Sequence, residues 1–184
     1  MSTQLITPSV AMAVSIEDAR IAIRADGDEL DSEIEIAVRG ITSEVEHHLQ
    51  RSIINQTWRC TLDLFPEAFK LYYPPVISVS SLRYYDTDGV LQTLNPADYV
   101  LDNVRQYDPG YLVPAKGKRW PDTETDRINA VMVEYVAGYG SSPSSIPPEV
   151  KMYILAKLAV QFGVSKDSQY IDKLLERNTI WSRG

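Results

Sequence analysis

His47 and His48 are the only histidines in this chain, and Cys60 is its only cysteine. A histidine triad or multi-histidine metal site needs imidazoles gathered at one point. Adjacent residues on a helix sit roughly 100° apart and cannot both face one metal. The pair reads instead as exposed side chains favoured near a helix C-terminus. A nucleophilic cysteine needs a cation or an imidazole beside it to form thiolate. Cys60 falls on the apolar side of an alternating run with no such neighbour in sequence, so it reads as a buried core thiol. His-Glu-x-x-His, Cys-x-x-Cys and Gly-x-Ser-x-Gly patterns are all missing.

Two acidic clusters invite a calcium or acid–base reading: Asp26-Gly27-Asp28 with Asp31, and Asp86-Thr87-Asp88. A calcium loop sets oxygen ligands at fixed positions around an obligatory glycine. Counted from Asp26, the fifth place is Leu30 and the sixth Asp31, so the pattern fails. Asp86 and Asp88 read as turn formers, and a hydrolase would require scattered carboxylates to converge in space. Gly138-Tyr139-Gly140 has no Gly-Lys-Ser/Thr after it and reads as a hinge rather than a phosphate loop. Lys116-Gly117-Lys118-Arg119-Trp120 is the one basic cluster carrying an aromatic. Lys118, Arg119 and Trp120 are candidates for contact with nucleic acid or an acidic neighbour, against a solvated loop with Trp120 packed inward. The residues thus predict no catalytic site, no metal site and no cofactor.

The elements that carry these residues follow from periodicity. Residues 1–14 lack charge and caps and read as a flexible arm. Ser15, with Asp18 in capping-box spacing, opens a short helix with Ile16, Ala19 and Ile23 on one face. The Asp26-Gly27-Asp28 turn ends it and offers Asp28 as the next N-cap. Leu30, Ile34, Ala37, Ile41, Val45 and Leu49 then recur at steps of three and four, the stripe of a helix packed on one side. After Asn55 the period becomes two: Trp58, Cys60, Leu62 and Leu64 alternate with polar residues, as in a half-buried strand. Strand-like runs follow at 69–73, 76–85, 90–94, 98–101 and 130–136, two of them joined by an Asp86-Thr87-Asp88-Gly89 hairpin turn. Residues 137–148 read as a flexible connection. Pro147-Pro148 leads into a third helix with Val150, Ile154, Leu155, Leu158 and Phe162, ended by Gly163. An amphipathic tail follows, with Tyr170, Ile171, Leu174, Leu175 and Trp181.

The expected architecture is α+β. N-terminal helices (about 15–52) and a C-terminal helix (148–163) form a small helical bundle, with an antiparallel β region (about 56–136) inserted. Residues 15–163 make one domain, flanked by the arm 1–14 and the tail 164–184. At 184 residues, 44% of them hydrophobic, the chain can bury a sizeable core. A formal net charge of −7 argues against tight nucleic-acid binding, which rests on a basic face that displaces counterions. No apolar run approaches the roughly 18–20 residues of a membrane span. The N-terminus has no basic residue ahead of an apolar run, and a lone cysteine suits a reducing cytoplasm. The expectation is a soluble chain made inside a cell.

Several phrases then stand in a fixed order. Gln56-Thr57-Trp58 follows the long helix. Tyr73-Pro74-Pro75-Val76-Ile77-Ser78-Val79-Ser80-Ser81-Leu82 comes next, then Tyr85-Asp86-Thr87-Asp88-Gly89, Asp98-Tyr99 and Trp120-Pro121. Val133-Glu134-Tyr135-Val136-Ala137-Gly138-Tyr139-Gly140 leads to Ile146-Pro147-Pro148 and a helix. The succession, over about residues 15–163, resembles the head–tail connector (adaptor) family of tailed bacteriophages and prophages. The resemblance implies a ring subunit in the virion neck, commonly one of about twelve copies, made in the bacterial host cytoplasm. It implies docking beneath the portal protein, an extended DNA channel and a platform for the next neck or tail protein. DNA would pass without specific binding and without a membrane partner. The family has no catalytic residues to carry over. The N-terminal arm is longer than the family's, and the segment after Phe162 departs from its usual ending. Ile171, Leu174, Leu175 and Trp181 form an amphipathic stripe suited to ordering on a partner such as the portal, or to covering the chain's own core. The competing expectations are a tail-completion or minor capsid protein, a small soluble hydrolase with a carboxylate site, and a host interaction module.

Overall fold

The computed structural model describes residues 1–103, 108–166 and 171. The protein is α+β, and its chain divides into two compact units. The β unit is made of Met1–Pro8 and Asn55–Gly138, and the helical unit of Ser9–Ile54 and Tyr139–Gly184.

In the helical unit, α1 spans Ile16–Ile23, α2 Asp31–Leu49 and α3 Pro148–Gln161. Ser15 caps α1 as its sequence position suggests: its hydroxyl accepts the Asp18 N–H at 3.1 Å. Arg24, in the left-handed region at φ 56°, closes that helix. Asp28 is not the cap of α2. Leu30 holds that place without a side-chain bond, and the Asp28 carbonyl accepts the Asp31 N–H at 3.1 Å. The acidic run puts Asp31 inside the first turn, and its carboxylate is taken by Arg20 of α1, whose Nε donates to Oδ1 at 2.7 Å. That ion pair holds the Arg20 guanidinium above its usual range and the Asp31 carboxyl below its own.

The stripe on α2 is buried as its period requires: Ile34, Ala37, Ile41, Val45 and Leu49, joined by Val38. Leu30 remains 38% exposed, because it precedes the first turn. From α3, Val150, Tyr153, Ile154 and Leu158 enter the same core, with Leu155 and Phe162 packed against it. Pro148 sits in the first turn, where its missing N–H costs nothing. Gly163 takes φ +73° just beyond the helix. Residues 139–147 are better fixed than a hinge composition suggests. A short 3-10 turn spans Pro143–Ser145, and Ile146 is buried in the helical core. A Cβ on Gly140 would collide with the Ser145 side chain, so the close approach there demands glycine.

In the β unit, β1 (Ser2–Thr7), β2 (Gln56–Leu62), β8 (Val131–Ala137), β4 (Val76–Tyr85) and β5 (Leu91–Thr93) form one sheet in the order β1-β2-β8-β4-β5. A second sheet has the order β3-β7-β6, from Phe69–Leu71, Gly110–Pro114 and Tyr99–Asp102. All pairings are antiparallel. Cys60, Phe69, Leu71, Val76, Leu82, Leu112, Val131, Val133, Tyr135 and Ala137 make one core shared by residues of both sheets.

Three sequence expectations need correction here. The first residues of the arm are a strand: Ser2–Leu5 pair in register with Trp58–Thr61. Further along, Ala13 and Val14 are buried in the helical core. Edge strand β1 shows no inside–outside alternation because nearly all of it is exposed, so its period carries no signal. The strand β7 is absent from the expected runs. It is five residues long and bounded by Gly110 and Pro114, which read as turn residues. Leu64, expected on the apolar side of β2, lies beyond its end and is 63% exposed.

Candidate functional site

Cys60 sits at the centre of β2, fully buried in the β core. Burial pushes its thiol up, away from the thiolate that nucleophilic chemistry needs. His47 and His48 project from the last turn of α2, both exposed. Among the described residues no group of three or more His, Cys, Asp or Glu side chains is placed to hold a metal ion. Among the same residues no helix is long and apolar enough to cross a membrane.

The acidic clusters resolve into structural roles. Asp86 organises its hairpin: Oδ1 accepts the N–H groups of Asp88 at 3.1 Å and Val90 at 2.9 Å, and Oδ2 accepts Gln92 Nε2 at 2.7 Å. The Gln92 and Val90 bonds hold its carboxyl below the usual range. Asp31 is likewise depressed by Arg20. A general acid needs the opposite, a carboxyl raised by burial or a like charge. A cavity of about 330 Å³ in the β unit is lined by Asp63, Leu64, Thr123, Thr125, Asp126, Arg127 and Ile128. Its Asp63 carboxylate accepts the Asn129 N–H at 2.7 Å. Arg127 beside it is committed to Glu124 at 2.7 Å and to the Tyr85 ring, 3.3 Å from its centroid.

The basic cluster is the turn that follows β7. Gly117 takes φ +78°, the Lys118 N–H donates to the Ala115 carbonyl, and Lys116, Lys118 and Arg119 are exposed. Lys118 Nζ pairs with Asp98 at 2.9 Å. Trp120 turns inward: it stacks on Phe65 at 5.0 Å between centroids and meets Phe69 edge-on at 5.5 Å. In the tail, Ile171 is 4% exposed within the core of the helical unit. Tyr170, Leu174, Leu175 and Trp181 lie outside the described residues.

Three of the ordered phrases meet in space, although sequence alone names no contact between them. Trp58 stacks on Tyr73, with centroids 4.0 Å apart and planes at 9°. The Tyr135 hydroxyl donates to the Tyr72 carbonyl at 2.9 Å, and the Gly138 N–H donates to the Pro75 carbonyl at 2.9 Å. Three separated stretches, around Trp58, Tyr73-Pro74-Pro75 and Tyr135-Gly138, are therefore one packed corner of the β unit. In the helical unit Tyr139 continues the last phrase, accepting Arg51 Nη1 at 3.0 Å, with Arg51 almost wholly buried.

On the outward side of the five-stranded sheet, Glu134 sits between two arginines. Arg59 Nη2 reaches its Oε1 at 2.6 Å and Arg83 Nη2 at 3.2 Å. The register places Arg59 directly across from Glu134, so the trio ties β2, β8 and β4 side by side. The Arg59–Glu134–Arg83 network thus fastens three strands of the sheet.

No family model and no curated protein matches the sequence. The fold is nevertheless matched over its full length by solved structures. One is a chain in the neck of an empty GTA particle computed with C6 symmetry, with TM-score 0.81 and 21% identity. The match covers 100% of this chain and 98% of that one. A chain in the virion of a native gene transfer agent (GTA) particle matches with TM-score 0.79, 21% identity and the same coverage. A third, in the neck of a native GTA particle computed with C12 symmetry, matches with TM-score 0.72 and 23% identity, again over 100% and 98%. At these identities the likeness establishes a common fold.

Proposed function

We propose that this chain is a structural, non-enzymatic head–tail connector subunit of a tailed phage or phage-like particle. In this reading it forms a ring under the portal, extends the DNA channel and joins head to tail. The observation that carries the reading is the full-length match to chains of a particle neck, with both units included and almost nothing left over on either side. The order of the phrases supports it as a resemblance, and three of them meet in the packed corner around Trp58, Tyr73 and Tyr135.

The proposed subunit is a small bundle of α1, α2 and α3 with the antiparallel β region inserted between α2 and α3. Its partners are further copies of itself, about twelve in the ring as in the C12 neck, the portal protein and the next neck or tail protein. The net charge of −7 suits a passage that repels phosphate and lets the genome slide. Lys118 and Arg119, exposed on the turn after β7, are proposed contacts to an acidic neighbouring subunit, with Trp120 supporting that turn from inside. In the tail, Leu174, Leu175 and Trp181 are the proposed portal contacts, beyond Ile171, which packs into its own unit.

Removing the gene from a phage or prophage that encodes this chain tests the role. The expected result is heads that package DNA but carry no tails, restored by supplying the chain in trans. Complete tailed particles formed without the chain would overturn the proposal.

A further inference from the structure

The five-stranded sheet ends in two different strands, β1 and β5. A sheet edge presents unpaired N–H and C=O groups, and chains that stay alone commonly guard it with charge or proline. Neither edge is guarded in that way. β1 reads Ser2-Thr3-Gln4-Leu5-Ile6-Thr7, and β5 with its flanks reads Val90-Leu91-Gln92-Thr93-Leu94. The chain is 23% charged, yet neither stretch holds a charged residue or a proline. Leu5, Ile6, Val90 and Leu91 stand exposed along them. The register shift between Leu5 and Thr7 disturbs only the end of β1 and leaves Ser2–Leu5 as a regular edge.

We propose that the β1 edge of one copy pairs with the β5 edge of the next, so that the sheets of neighbouring copies run on into one another; this rests on the ring reading above. Every neighbouring pair in the order β1-β2-β8-β4-β5 is antiparallel, so β1 and β5 point the same way. Copies set in one orientation around a ring therefore present β5 and the next β1 as a parallel pair. Joining two different edges is a heterologous contact, the kind that closes a ring, whereas β1 against β1 would be isologous and stop at a dimer. The three residues of β5 allow only a few backbone bonds, and the apolar side chains beside them supply the remaining contact.

Cysteine pairs read this geometry directly, since a disulfide forms only when the two Cα atoms lie within about 7 Å. Cys60 is fully buried and stays silent under mild oxidation. In purified particles that carry the chain, Ser2→Cys with Leu91→Cys should give a ladder of linked copies on oxidation, and each single variant should give only monomer. Gln4→Cys with Thr93→Cys places a second parallel pair two residues along, so misfolding of one variant leaves the other to decide. All four positions are exposed. A Ser2→Cys or Gln4→Cys variant that links to itself as a dimer would overturn the proposal in favour of isologous edges. Particle rings that contain the chain but give no ladder overturn the edge pairing and leave the ring reading standing. A neck without the chain overturns both.

Discussion

Replacing Tyr135 by Ala is expected to cost about 3–5 kcal/mol and to unfold the β unit, whereas Tyr135→Phe should cost only about 1 kcal/mol. The ring is fully buried at the middle of β8, between β2 and β4, in a core it shares with Cys60, Leu82 and Val133. Its hydroxyl donates to the Tyr72 carbonyl at 2.9 Å, and burial pushes the phenol well above its ordinary range. Truncation to Ala would remove the aromatic volume and leave a cavity that strands on both sides cannot close. Phe keeps the volume and loses a single neutral bond. Because the chain has two units, one global transition is not assumed, and protection must be read locally. Amide hydrogen exchange of β2 and β8 should accelerate strongly in Tyr135→Ala and slightly in Tyr135→Phe. Equal acceleration in both would show that the hydrogen bond, not the packing, holds this corner.

The second large effect belongs to the helical unit. Leu158→Ala on α3 should cost about 2–5 kcal/mol, because its side chain is fully buried in the core built with Ile34, Val38 and Ile154. Met152 lies on the same helix but is 48% exposed, so Met152→Ala should stay within about 0.5 kcal/mol. Chemical denaturation followed by helical circular dichroism separates the two variants. A Leu158→Ala chain as stable as Met152→Ala would contradict the placement of α3 against α1 and α2.

The sequence displayed some of this fold clearly and hid other parts for physical reasons. The α2 stripe was legible because one face is buried and the other solvated, which imposes a helical period on the residue types. The β4–β5 hairpin was legible because Asp86 supplies the turn's own hydrogen bonds. The edge strand β1 was hidden because exposure on nearly every residue erases alternation. Its partner is supplied by β2, some fifty residues away, and no local pattern reports that. Sequence places the α2 cap at Asp28 rather than Leu30 because Asp28, Glu29 and Asp31 are all acceptable near a helix start, and the Arg20 pairing that selects Asp31 for the first turn is tertiary. The β7 strand was too short to show a period between Gly110 and Pro114.

No single residue names a role, whereas the order of the phrases resembles that of neck subunits. The structure gives those phrases a physical meaning. Trp58, Tyr73, Pro75, Tyr135 and Gly138 are far apart in sequence and meet through ring stacking and backbone hydrogen bonds. Each constrains the others, so packing holds their spacing. A surface that joins copies leaves no comparable trace in one sequence, because its partner residues belong to another chain.

Electron cryomicroscopy of the neck of a particle that encodes this chain tests the central claim most directly. The account predicts a ring of about twelve copies between portal and tail, each fitted by the helical and β units described above, around an open channel. Density at that position that this fold does not fit, or particles in which the chain is missing from the neck, would contradict it.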